Sequence, residues 1–511
     1  MGYRTLSLNL PTDYDTDQLQ RKIAKRLRLQ SFTWQIERQS LDARKKTNIH
    51  WQMRVAVVSD ELKDGEPPVS PTLDIPYRKR KEKVVIVGSG PAGLFSALVL
   101  QKAGFQTTLI DRGAKVDKRA EELATFERIG QFSPVSNYAF GEGGAGTFSD
   151  GKLTSRTKNI TAEKDFMISN YIDAGAPAEI GYLAHPHIGT DRLRVVVANL
   201  RNRLQSMGGT VLFETLLENL VVRNGRIREG VTSRGTFPTD LCIVAPGHSA
   251  YDTYRMLMKR GVPFRTKPFA VGCRVEHPQA LINLAQWGTD NLPGLKAAEY
   301  RLTSRAADRS VYTFCMCPGG TVVPATAYTG SNIVNGMSYY ARNGQFANAA
   351  CVAGIHGDEV LGHKASPQDV LQWLADLEGR FYDYSGGYSA PGCTILDFLK
   401  GHGPASVGPS SYPLGVVAAP LWEMLPLQVV TALRKGLLDF QNKLKGFENG
   451  ILLGLESKTS SPIQVLRDQS GLCEGFDNLF VVGEGSGYAG GIISSGVDGI
   501  RVAGRVIEYY L

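Results

Sequence analysis

Residues Val84-Val85-Ile86-Val87-Gly88-Ser89-Gly90-Pro91-Ala92-Gly93 run from a β-branched strand into a Gly-x-Gly-x-x-Gly turn; an apolar helix follows, and a second strand ends at Leu109-Ile110-Asp111-Arg112. No other stretch narrows the possible folds as far. Gly88 permits the tight turn, Gly90 lets backbone approach a pyrophosphate, and Gly93 lets helix and strand pack closely. The helix N-terminus, with Ser89, Pro91 and Ala92 around it, offers unpaired N–H groups to phosphates. Asp111, 18 positions after Gly93, is placed to accept hydrogen bonds from a ribose. Such glycine patterns also arise from packing alone, but the flanking strand, helix and acid supply the context a dinucleotide requires.

An acid followed by Arg, here Asp111-Arg112, begins to separate FAD from NAD. Its companion lies far along the chain: Asn478 to Gly485 reads as a strand leading into Gly483-Glu484-Gly485, and Gly490-Gly491-Ile492-Ile493 opens a helical pattern to Tyr510. Glu484 is placed for the ribityl hydroxyls of a flavin, and the helix start at Gly491 and Ile492 for the negative edge of its ring. Asp240 to Gly247 resembles the strand that closes FAD-binding domains, with Ala245 and Gly247 at its turn and Pro246 replacing the usual Thr. A hairpin-like stretch from Val211 to Ile227 precedes it, with Asn224-Gly225 as turn signal and Leu217 expected near the adenine.

Four further segments carry a resemblance: Gly141 to Leu153, Pro186 to Asp191, Phe314-Cys315-Met316-Cys317-Pro318-Gly319-Gly320, and Glu456 to Pro462. Together they are similar to the uncharacterised FAD-dependent dehydrogenases of bacteria and plastids, in which an extra N-terminal domain precedes a glutathione-reductase-like FAD fold. The resemblance implies non-covalently bound FAD and an oxidoreductase.

The expected fold class is α/β: a Rossmann-like FAD-binding domain, interrupted by a mixed α+β substrate or cap domain and preceded by a small α+β, ferredoxin-like domain. The expected boundaries are 1–80 for the N-terminal domain and linker, 81–254 for the first part of the FAD domain, 255–469 for the insertion, and 470–511 for the closing strand and helix. Strands at Arg4–Leu10, Phe32–Ser40 and Ile49–Val58 and a helix at Thr16–Leu29 are expected in the first domain. Residues 1–83 hold 17 Lys and Arg against 11 Asp and Glu, most of the net +8 of the chain. Arg44-Lys45-Lys46 is preferred as a solvated basic turn over a nucleic-acid contact. Pro67, Pro68, Pro71 and Pro76, followed by Arg78-Lys79-Arg80-Lys81, mark the linker. In the insertion, Lys267–Glu276 and Ser310–Phe314 read as strands, and 421–444 as a helix kinked or started at Pro426.

Chemistry is assigned first to the flavin, whose N5 accepts or donates hydride. Gly146, Thr147 and Lys152 are candidate contacts to the cofactor. Lys152 either stabilises reduced flavin or merely neutralises phosphate or ties down its own loop, and Asp150 shares that loop. His187 is a candidate proton donor or a satisfied structural histidine. Lys458 sits in either an anion pocket or a surface turn. The seven cysteines form no Cys-x-x-Cys pair and no metal spacing, so no metal is expected. Cys315 is a candidate thiol beside the flavin, although strand spacing from Cys317 argues against a disulfide.

With one dinucleotide fingerprint, NAD(P)H is expected only as a transient donor; a donor protein or the substrate itself are alternatives. No apolar run is long enough to span a bilayer, and the N-terminus shows no signal core, which predicts a cytoplasmic protein without membrane contact. The expected function is hydride transfer between flavin N5 and a small organic substrate. An RNA-modifying flavoprotein docking through the basic domain and a non-catalytic flavin sensor are the alternatives.

Overall fold

Alternation along one strand sets the layers. In Lys83–Val87 the side chains of Val84 and Ile86 enter one core and those of Val85 and Val87 another, all four buried. This is the pattern of a central parallel strand covered on both faces. The structure, a computed structural model, describes residues 1–305, 308–403 and 406–510. The parallel sheet runs Leu479–Val481, Leu241–Val244, Lys83–Val87, Gln106–Ile110, Thr210–Leu212. On one face lie the helices Pro91–Lys102, Thr161–Asp173, Thr190–Ser206 and Ile492–Tyr509. The first of these is buried at every position from Ala92 to Leu100, as expected of a helix apolar on all sides.

The other face is covered by the hairpin Leu217–Thr232 and by the insertion, whose core is continuous with that of the sheet. The hairpin turns at Asn224 (φ 51°) and Gly225 (φ 72°), the paired left-handed conformations of a type I′ turn. Val211 and Leu212, expected to begin this hairpin, instead pair in parallel with Leu109 and Ile110. The strand is only three residues long, and a short apolar run cannot be told from a hairpin arm by periodicity.

The insertion is built on one large, largely antiparallel sheet centred on Phe269–Pro278, which lies between Phe346–Ile355 and Ile451–Glu456. Lys267–Glu276 is accordingly a strand over most of its length, and the strand begun near Ser310 continues to Pro324. Pro426 starts a helix rather than kinking one: a short turn at Leu421–Met424 ends before it and Leu427–Lys443 begins after it. A Cβ on Gly436 would meet Val311 at 2.5 Å, so this helix lies directly on the sheet.

In the N-terminal region Gly2–Leu10 and Thr33–Asp42 flank His50–Ser59, which is antiparallel to both, and Thr16–Leu27 packs Leu19 and Ile23 onto Leu8, Met53, Val55 and Val57. This is a split βαβ unit, the first half of the expected ferredoxin-like arrangement. Residues 60–82 carry four prolines and form no helix or strand to complete it. The unit docks through Gln39, which exchanges backbone hydrogen bonds with Tyr182 (2.9 Å) and Ala184 (2.8 Å). The basic tail of the linker is partly built in: Arg80 is buried, donates to the Ala103 carbonyl and lies 4.6 Å from the Phe105 ring centroid.

Candidate functional site

The two glycine turns, nearly four hundred residues apart, meet at the C-terminal edge of the parallel sheet. A Cβ on Gly483 would lie 2.7 Å from Cβ of Ala92, and one on Gly499 would collide with the Ala92 carbonyl. A Cβ on Gly93 would collide with the Gly88 carbonyl, and Gly88 itself (φ 95°) lies against Ala245. Gly90 is different: its nearest neighbour would be Gly144 Cα at 3.7 Å. Gly90, Gly144, Gly490 and Gly491 thus leave backbone bare around two helix starts that no side chain caps. Pro91, Gly146, Thr147 and Ile492 line the crevice between them. The crevice is small and mostly apolar, with Leu94, Leu193 and Val197 on its wall, and it is the two uncapped helix starts that suit a pyrophosphate.

At the far side of the first turn, Asp111 is already committed. Its carboxylate accepts from Ser89 N (2.8 Å) and Oγ (2.6 Å) and from Gly113 N (2.9 Å), so it fixes the turn as well as standing where a ribose would approach. Arg112 pairs with Asp252 (2.8 Å) and lies 4.2 Å from the Phe140 ring centroid, while its buried Nε has no protein partner. The backbone that touches Asp111 is Leu212 and Thr215, not Leu217, whose side chain is in the core. Gly247 (φ 71°) accepts from Tyr254 OH at 2.6 Å, and Glu484 faces His248 Nδ1 at 3.2 Å. The buried Nε2 of His248 has no partner in the protein. His248 is a contact candidate that sequence reasoning missed, although it immediately follows Gly247.

The glycine loop is held by another residue no motif announces. Arg119, fully buried, donates to the carbonyls of Asn137 (2.8 Å), Tyr138 (3.0 Å), Gly141 (3.2 Å), Glu142 (2.8 Å) and Gly144 (2.9 Å). Burial pulls its guanidinium down to about 10, so it stays charged at neutral pH.

The three candidate chemical residues come together where this loop meets the insertion. Lys152 and His187 form an isolated antiparallel bridge. The Lys152 ammonium contacts the Asp150 carboxylate and the Met316 carbonyl, between Cys315 and Cys317. Asp150, fully buried, also takes a two-point hydrogen bond from Arg342 (3.1 and 2.6 Å). Burial alone would raise the Asp150 carboxyl, but the two cations hold it well below the usual carboxylate range. Burial likewise opposes the charge on Lys152, yet Asp150 outweighs it and the ammonium is favoured. The cluster carries two cations on Asp150, and Arg342 also reaches Glu299 at 3.6 Å.

His187 is a different matter. Burial, then the nearby Arg342, push its imidazole down to about 4, and its Nε2 hydrogen-bonds the Tyr340 carbonyl at 3.1 Å. It is a neutral ring at pH 7, not an imidazolium poised to donate. His277, in the insertion, is held equally low, at about 4, by burial. Unfolded histidine binds its proton near pH 6.5, so between there and pH 4 the unfolded chain takes up protons that the native one refuses. Stability is expected to be full above pH 6.5 and to fall on acidification, by up to about 3 kcal/mol per histidine. Urea titrations at pH 7 and pH 5 test this: His187→Gln should flatten the difference, and an unchanged slope contradicts the assignment.

Lys458 is buried against Glu378 (2.8 Å) and Tyr251, an internal ion pair and neither an open anion pocket nor a surface turn. Arg44 of the basic triplet folds back onto Asp42. Among the described residues, no group of three or more His, Cys, Asp or Glu side chains is arranged to hold a metal ion.

Three family models match this chain: a FAD-binding domain over residues 81–123, a C-terminal domain-like model of FAD-dependent proteins over 268–459, and a domain of unknown function over 3–58. An uncharacterized protein of Clostridium beijerinckii is 39% identical over 538 residues, covering 100% of this chain and 99% of its own. The chain belongs to this family of FAD-dependent proteins. A D-amino acid dehydrogenase of Vibrio vulnificus matches at 49% over 51 residues only, 10% of this chain and 11% of its own. Among solved structures, a geranylgeranyl bacteriochlorophyll reductase-like protein of Thermoplasma acidophilum is similar at 14% identity and a TM-score of 0.37, over 84% of this chain and 78% of that one. Glycine oxidase of Bacillus cereus is similar at 11% and 0.32, over 84% and 96%.

FAD is the cofactor of this FAD-dependent protein, and the residues fit it: bare glycines at two uncapped helix starts, with orphaned polar atoms on Arg112 and His248 nearby. No helix among the described residues is long and apolar enough to cross a membrane. The cradle makes a sharp prediction. Gly90→Ala has room for its methyl group and should fold normally, yet bind FAD at least roughly tenfold more weakly, a loss of about 1.4 kcal/mol. Fluorescence titration of the apoprotein measures this; unchanged affinity would remove Gly90 from the cofactor surface.

Proposed function

We propose that this flavoprotein transfers hydride between the flavin N5 and a small organic molecule bound between the FAD domain and the insertion. The observation that carries the reading is the cluster of Asp150, Lys152 and Arg342, in which a partly exposed lysine and a buried arginine share one buried carboxylate at the junction of glycine loop and insertion. Bound FAD supplies the hydride chemistry itself. The Lys152 ammonium, with its side chain 27% exposed, favours an anion nearby, whether the reduced cofactor or an oxygen of the substrate. Asp150 orients Lys152 and Arg342 and keeps both charged. Neutral His187 leaves Nδ1 as a hydrogen-bond acceptor, and its lowered basicity makes it a positioning group rather than a proton carrier. Gly88 to Gly93, with Asp111 and Arg112, form the ADP side of the proposed cofactor site, and Gly146, Thr147, Glu484, Gly491 and Ile492 the flavin side.

Electrons enter from NAD(P)H bound transiently, from a donor protein, or from the substrate. Anaerobic mixing of the holoprotein with NADH, NADPH and amino or hydroxy acids tests the reading. Bleaching of the visible flavin band by at least one of them is expected, slowed roughly tenfold or more in Lys152→Met. A flavin inert to every donor would instead favour a sensor.

A further inference from the structure

The long strand Val311–Pro324 shifts register twice against Phe346–Ile355, between Phe314 and Cys317 and between Cys317 and Gly320, and two cysteines occupy the first break. Cys315 sits at φ 45°, a left-handed conformation rare for a side-chain-bearing residue. In a regular strand, positions two apart are about 6.6 Å from each other, at the outer limit for a disulfide. The bulge contracts that distance. Cys317 Sγ reaches back to the Cys315 carbonyl at 3.3 Å, so the second cysteine is folded toward the first rather than held at the regular spacing that argued against a disulfide.

Two cations converge on the break. Arg274, fully buried, donates to the Cys315 carbonyl (2.8 Å) and to Cys317 Sγ (3.4 Å), and Lys152 donates to the Met316 carbonyl between them. Burial, against the pull of Arg274, raises its partner Glu456 to about 7. The pair gives up its first proton more easily than an isolated cysteine, because each sulfur has the other beside it and Lys152 and Arg274 are close by; the second proton is held tightly. The remaining five cysteines are buried. Cys315 is half-buried, beside the exposed Phe314 ring, whereas Cys317 is enclosed. A half-buried cysteine backed by an enclosed one is the arrangement of an attacking and a resolving thiol.

We propose that Cys315 and Cys317 form a thiol–disulfide redox site that takes small-molecule disulfides as oxidant. The Cys315 thiolate attacks one sulfur of the disulfide, the S–S bond breaks, and one thiolate leaves. The Cys317 thiol then attacks the Cys315 sulfur of this mixed disulfide; the second external thiolate leaves and takes up the Cys317 proton. Two protein thiols are oxidised to one intramolecular disulfide, and one external disulfide is reduced to two thiols.

The test uses the full-length holoprotein, incubated with glutathione disulfide at neutral pH, alkylated and mapped by mass spectrometry. The peptide spanning residues 311–324 is expected to lose the mass of two hydrogens, to resist alkylation at both cysteines, and to recover both thiols with dithiothreitol. Cys317→Ser is expected to accumulate glutathione on Cys315, and Cys315→Ser to leave Cys317 unmodified. Before oxidation, Cys315 should alkylate at least roughly tenfold faster than any other cysteine. The proposal is overturned if both thiols stay alkylatable after the disulfide, or if glutathione persists on Cys315 of the unsubstituted chain. The flavin band, read in the same sample, reports the cofactor reading independently.

Discussion

Asp150→Asn is expected to lower the unfolding free energy by about 3–5 kcal/mol and to abolish reduction of the flavin by substrate. The reason is the imbalance it creates. Asp150 is fully buried and is the shared partner of Lys152 and Arg342, itself only 8% exposed, so neutralising the carboxylate removes the anion both cations share and leaves Arg342 only the more distant Glu299, at 3.6 Å. Removing one member of a buried ionic group costs far more than replacing the whole group. The double variant Asp150→Asn, Arg342→Leu should therefore recover part of the lost stability while remaining inactive. Urea unfolding of the single and double variants measures the coupling. A single variant within 1 kcal/mol of wild type would show that the cluster is solvated and would remove it from the proposed site.

Arg119→Met is expected to be nearly as damaging, on the order of 3 kcal/mol or more, through a different route. Methionine fills a comparable volume but takes the guanidinium from five carbonyls of residues 137–144, of which those of Gly141, Glu142 and Gly144 keep a second donor in Gly144 N and in Thr147. The loop from Asn137 to Gly144 then loses the fixed shape that sets Gly144 against Gly90. FAD should be lost from the purified protein even where the rest of the chain remains folded, and amide exchange should rise in the loop before it rises in the parallel sheet. Retention of stoichiometric FAD by Arg119→Met would show that the loop keeps its shape without the guanidinium.

Much of this molecule was legible because its signals are local. The turn at Gly88–Gly93 lies within ten residues, and the periodicity of 16–29 and the alternation of 49–58 needed no distant partner. The helix start at Pro426 follows from proline's missing N–H and fixed φ. What escaped notice is long-range. Arg342 meets Asp150 across 192 residues, and nothing in Tyr339-Tyr340-Ala341-Arg342 marks that role. Arg119 sits on the helix Val116–Ile129, which carries no motif. The contraction at Cys315 depends on a register shift between two strands, which the period-two pattern of either strand does not encode. Asp111 shows the intermediate case: its place at the strand end was evident, but its bonds to Ser89 and Gly113 required the fold.

The central claim is that two distant glycine turns close on a single FAD. The most direct measurement is the flavin content of purified wild type, Gly90→Val and Gly491→Val, by absorbance before and after denaturation, beside circular dichroism of the same samples. A single FAD per wild-type chain, lost from both variants while their secondary structure persists, is the result expected here. A wild-type chain that is colourless and takes up no added FAD, or full flavin retention by either variant, would contradict it.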